Sequence, residues 1–114
     1  MTKYLFFANS TSDTMCFPSD KIAFIENTDA DTMQIHFHPG TDNTAGSVIF
    51  EITSGYGKAF CRILFDAINT GHDPMIVVAD DIRSEYLTGT TGAADGASAG
   101  TTVAATACTT IALL

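Results

Sequence analysis

The sequence predicts an α+β domain: a mainly antiparallel sheet, open barrel or sandwich of about six strands with one amphipathic helix, in the order β-β-β-β-α-β-β. Three observations carry this. Only residues 58–69 place apolar side chains at helical spacing. Several short runs instead alternate apolar and polar residues with the period of a strand. Clusters of Asn, Asp, Ser, Thr, Gly and Pro separate these runs and mark turns.

The first strand is expected at 4–7, which is short and aromatic and runs into the polar cluster Asn9, Ser10, Thr11, Ser12 and Asp13. Residues 16–19 follow, with Pro18 marking an edge or a turn. The run 21–26 puts Ile22 and Phe24 on one face and Ala23 and Ile25 on the other, as in a strand covered on both sides. Residues 27–31 supply a turn, because Asn and Asp side chains bond their own backbone. The clearest alternation is 33–38, with Met33, Ile35 and Phe37 inward and Gln34, His36 and His38 outward. Pro39 and Gly40 stop it, and a polar, mobile loop is expected over 41–46. Residues 48–53 alternate again, with Val48, Phe50 and Ile52 inward, so the two runs predict an antiparallel hairpin.

The helix gathers Phe60, Cys61, Ile63, Leu64, Phe65, Ala67 and Ile68 in an arc of about 200°, opposite Lys58, Arg62, Asp66 and Asn69. So wide an arc predicts contact with a sheet and with either the terminal strand or a second subunit. Ser54 is the expected N-cap and Gly71 the expected residue after the C-cap. Pro74 prevents the helix from resuming. The apolar run 75–79 reads as a central strand, and 84–88 as a further short one.

The segment 89–102 is rich in Gly, Ala and Thr and reads as a flexible loop or arm, because it has too little apolar area to offset its ordering entropy. Residues 103–114 alternate again, as a C-terminal strand of the same domain or of a neighbouring subunit. A compact unit at 1–88 would then carry the core. A chain of 114 residues, 46% of them hydrophobic, is long enough for one such core.

The formal charge of −8, from 13 Asp and Glu against 5 Lys and Arg, argues against a nucleic-acid partner, which needs clustered cations. The same balance weighs against reading the eight phenylalanines as a platform for single-stranded nucleic acid. No run is long enough for a membrane span, and the apolar start is too short for a signal sequence, so a soluble protein without a membrane partner is expected. Cys16, Cys61 and Cys108 are too dispersed for a zinc site or a disulfide framework, and Cys61 falls on the apolar side of the helix.

Four groupings of side chains could carry chemistry. His36 and His38 sit about 7 Å apart on one strand face and could share a metal with His72 or an aspartate. Asp73, Asp80 and Asp81 could gather at strand ends around a hard cation, but solvated turn carboxylates explain them as well. The residues Ser54, Gly55, Tyr56 and Gly57 could offer backbone N–H groups to an anion or simply make a tight turn. Arg62 and Asp66 have the spacing of a surface ion pair. None amounts to a nucleophile with its base, so the sequence predicts no catalytic, cofactor-binding or metal residues and no enzyme.

The residues Phe17-Pro18-Ser19-Asp20 leading into a strand, Ile35-His36-Phe37-His38-Pro39-Gly40 at a strand end, Asp66-Ala67-Ile68-Asn69 closing the helix, and Ile76-Val77-Val78-Ala79-Asp80-Asp81 before Tyr86-Leu87 carry a resemblance. Over residues 18–88 the chain resembles small virion proteins of marine tailed phages, notably those infecting cyanobacteria. The resemblance implies a phage structural protein located in the virion and assembled in the host cytoplasm. It points to a capsid decoration or cement protein that binds the shell of major capsid protein. A homo-oligomer, with a trimer as one option, is expected from such a role. A tail or neck component, or a small non-catalytic ligand- or nucleic-acid-binding sheet domain, are the alternatives.

Overall fold

A computed structural model describes residues 3–38, 46–90 and 100–113. Among them are nine strands and one α-helix: β1 Tyr4–Ser10, β2 Asp13–Pro18, β3 Ile22–Asp29, β4 Thr32–Phe37, β5 Gly46–Ile52, α1 Gly57–Thr70, β6 Met75–Asp80, β7 Glu85–Tyr86, β8 Thr88–Thr90 and β9 Thr102–Leu113. The fold is α+β and mostly antiparallel, with one helix and more strands than the six expected. One sheet has the order β2-β1-β6-β7, the other β3-β4-β5-β9-β8. All pairings are antiparallel except β1 with β6, which run parallel and are joined through β2–β5 and α1.

Among the described residues, Leu87 carries the backbone from one sheet into the other. Leu87 lies between β7 and β8; its N–H donates to Val78 O at 3.0 Å and its carbonyl accepts the Ala105 N–H at 3.0 Å. The strands therefore curl into a half-barrel, with β2 and β3 as its outer edges. At one end β2 runs into β3 through the 3-10 turn Ser19–Lys21.

The hairpin β4–β5 forms with the expected faces inward, Met33 opposite Phe50 and Ile35 opposite Val48, all four buried. Five phenylalanines then run through the core. Phe37 stacks on Phe17 with centroids 4.2 Å apart, Phe17 meets Phe7 edge-on at 6.3 Å, Phe7 meets Phe50 at 6.0 Å, and Phe50 meets Phe60 of α1 at 5.4 Å. Both sheets and the helix thus share one core. Fully burying such a ring is worth about 1.5–3 kcal/mol, which makes these contacts the main reason the layers stay together.

The helix departs from its expected arc. Ala59, Phe60 and Leu64 are buried, Ile63 and Ala67 line the flank toward β8, and Phe65 remains 42% exposed. It packs against β6, β8 and β9, so the terminal strand does supply part of its contact. Its cap is not Ser54. Gly57 is the first helical residue after Tyr56, and no side chain caps it. Gly71 follows the helix with extended backbone, φ −69°, and is small because a Cβ there would lie 2.6 Å from Ala67 O.

Two other expectations need correction. The strand at 22–29 is covered on one side only: Ala23 is bulged out, so Ile22 and Ile25 turn inward while Phe24 points outward, 53% exposed. In β9 the strict alternation fails for the same reason. Register shifts beside Phe50 and Ile52 bury Cys108 and leave Thr109 exposed. Of the expected flexible segment 89–102, residues 89 and 90 belong to β8, residue 102 begins β9, and 91–99 lie outside the described residues. The expected loop at 41–46 lies outside them too, apart from Gly46.

Candidate functional site

The polar groups that the sequence singles out do not converge. Asp73 precedes β6 and accepts the Met75 N–H at 3.0 Å, whereas Asp80 and Asp81 end that strand. A six-residue strand separates them by about 17 Å, too far for one cation. Asp80 is buried and accepts the N–H groups of Ile82 at 2.9 Å and Arg83 at 3.2 Å, closing the turn. Asp81 Oδ1 accepts the Tyr86 hydroxyl at 2.7 Å and the Cys108 N–H at 3.0 Å. These bonds occupy both carboxylates in holding the turn and β9 in place.

Electrostatics in this corner follow from the same contacts. The hydrogen bond to Asp81, then burial, then the carboxylates of Asp81 and Asp80 and the nearby Cys108 push the Tyr86 hydroxyl up to about 12. Burial, then Asp81 and Asp13, push the Cys108 thiol up to about 11. Both groups are held neutral, so neither is primed as a nucleophile or ligand at neutral pH.

His36 faces outward on β4 as expected, but its ring stacks on Phe24 at 4.3 Å and its Nε2 lies 3.2 Å from Glu26 Oε2. Among the described residues no three His, Cys, Asp or Glu side chains are grouped to hold a metal ion. The turn at 54–57 is built for close approach. Gly55, at φ +85°, donates its N–H to Ala30 O, Tyr56 donates to Thr53 O, and the Asn27 side chain occupies the space where a Gly57 Cβ would stand. Asn27 is fixed there by donating to Asp29 O at 2.7 Å and Thr32 O at 2.9 Å.

Two surfaces remain. The first is the outer face of the four-stranded sheet. Strand alternation turns Leu5, Phe7, Phe17 and Ile76 into the core, and the same alternation turns their neighbours outward. The outward positions form two rows across three strands: Pro18, Tyr4 and Met75, then Cys16, Phe6 and Val77. Tyr4 is 48% and Met75 43% exposed, and no element among the described residues covers them. The second surface is a groove of about 480 Å³ between β3 and the flank of α1, lined by Ile22, Phe24 and Ile25 on one side and Cys61 and Phe65 on the other. Sequence reasoning missed both. Phe65 falls in the apolar arc of the helix and the 4–7 strand has no assigned inward face, and only strand pairing reveals which apolar side has no partner.

No protein-family model, no curated protein and no solved structure matches the chain.

Proposed function

We propose that this chain is a phage virion structural protein, a decoration or cement protein seated on the shell of major capsid protein. It would associate with further copies of itself through the outer face of the β2-β1-β6 strands. The reading gives it no catalytic role and no cofactor.

The observation that carries the proposal is that outer face. Six outward positions in register, Tyr4, Phe6, Cys16, Pro18, Met75 and Val77, include no Asp, Glu, Lys, Arg or His. An apolar sheet face without a covering layer marks an interaction surface. In a chain of net charge −8, such a face is also where two copies can meet without opposing like charges. Sheets stack face to face at about 10 Å, so tips such as Tyr4 and Met75 can interdigitate with those of a second copy.

Mass spectrometry and imaging of purified particles test the location. A regular array of the chain on the shell supports the proposal. Absence from the particles rejects it, and a position on the tail or neck transfers the chain to that alternative.

A further inference from the structure

We propose that the free edge of β3, together with the groove beside it, takes up a short extended segment of a partner protein that alternates apolar and basic side chains. This deepens the reading of the chain as a docking subunit, by naming the chemistry of a partner other than itself. Its failure would leave the particle-location test unaffected.

The edge specifies a strand. Among the described residues β3 ends the sheet order and pairs with β4 alone, so the backbone groups on its other side meet no described strand. Its two irregularities, at Ala23 and Thr28, delimit a regular stretch in which Phe24, Ile25, Glu26 and Asn27 stand opposite His36, Ile35, Gln34 and Met33. Four residues in regular register can bond an added strand, while the bulges at both ends stop the pairing from extending into open-ended aggregation.

The two sides of that edge specify the pattern. On the helix side Ile25, Cys61 and Phe65 line the groove, so side chains pointing there must be apolar. On the outer side Phe24, stacked on His36, and Glu26 project, and Asp29 and Asp31 follow at the turn, so a basic side chain pointing that way lays its stem on Phe24 and its charge beside carboxylates. Lys21, Lys58 and Arg62 are the cations of the region, at the opposite end of the strand and on the helix. A strand alternates its side chains between the two sides, and an alternating apolar and basic segment satisfies both. Charge also disfavours a second copy here. Antiparallel pairing of two β3 edges in the register that sets Glu26 opposite Glu26 would oppose like charges, which repel across a strand pair.

The test is fluorescence anisotropy of the full chain with a labelled, blocked peptide Val-Lys-Leu-Lys-Val-Lys. Two analogues of it, N-methylated on alternate sets of backbone amides, complete the series. The expected result is a Kd on the order of tens of micromolar, as for a short strand addition. One analogue should bind about tenfold or more weaker than the other, because only one set of amides faces β3. Raising salt should weaken binding several-fold. Phe65→Asp, at an exposed position that leaves the circular dichroism unchanged, should weaken it about tenfold. No binding at millimolar peptide would overturn the proposal. So would equal binding of the two analogues, which would mean charge capture without pairing, or indifference to Phe65→Asp. A change in the light-scattering mass on Phe65→Asp would also overturn it, by making the groove a contact between copies.

Discussion

Asp81 and Cys108 are tied together across 27 positions of chain: Asp81 Oδ1 accepts the Cys108 backbone N–H at 3.0 Å. The bond holds the turn after β6 against the middle of β9, beside the register shift between Ile49 and Phe50. Asn9 Nδ2 supports the same junction by donating to Thr109 O at 3.2 Å. Replacing Asp81 by Ala leaves the Cys108 N–H and the Tyr86 hydroxyl without their acceptor. The expected loss is about 1–3 kcal/mol, read as a lower urea midpoint at unchanged m-value.

The same corner sets the alkaline limit of stability. Tyr86, raised from 10.0 to about 12, and Cys108, raised from 9.0 to about 11, keep their protons in the fold after the unfolded chain has lost them. The stabilisation they give is fully present below pH 9 and is lost as pH rises through about 11 and then about 12. Urea midpoints should therefore fall across that window. One of the three tyrosines should titrate late by absorbance, and Asp81→Asn should bring its titration back toward 10.

Leu64 and Phe65 are adjacent on α1 and should respond oppositely to truncation. Leu64 is 1% exposed in the shared core, so Leu64→Ala should cost about 2–5 kcal/mol. Phe65 is 42% exposed at the groove, so Phe65→Ala should cost less than about 1 kcal/mol. Chemical denaturation of the two variants checks the assignment. A Leu64→Ala cost below about 0.5 kcal/mol would mean the core lies elsewhere.

Gly89 of β8 fixes how closely the helix approaches the half-barrel. A Cβ there would stand 2.7 Å from Ile63 Cγ1, 2.9 Å from Cδ1 and 3.0 Å from Cγ2. Gly89→Ala should destabilise by about 1–3 kcal/mol through overpacking. The cost should shrink when Ile63 is also Ala, giving a coupling that a double-mutant cycle measures.

Much of this architecture could be read from residue order. The alternation of Met33, Ile35 and Phe37 and of Val48, Phe50 and Ile52 is strict, so the β4–β5 hairpin emerged with the correct faces inward. The helix was legible because Phe60 and Leu64 keep helical spacing. What failed was local. Bulges at Ala23 and near Cys108 shift the strand phase by one residue, and period-two reasoning cannot detect such a shift. Ser54 has the right chemistry for a cap, but the Asn27–Gly57 contact draws the chain into a tight turn and delays the helix start. The parallel β1–β6 pair and the apolar face over it depend on contacts about 70 residues apart, for which composition holds no signal. Hence Met75, in the apolar run, and Phe65, in the apolar arc of the helix, looked buried until the pairing placed them outside the core.

The central claim is that the face carrying Tyr4 and Met75 joins copies of this chain. Size-exclusion chromatography with light scattering at about 100 μM, where a contact worth about −5.5 kcal/mol is half populated, tests it most directly. The expected mass is a multiple of 12.0 kDa, reduced to 12.0 kDa by the paired substitutions Tyr4→Asp and Met75→Asp with the fold retained. A wild-type mass of 12.0 kDa, or an oligomer indifferent to those substitutions, would contradict it.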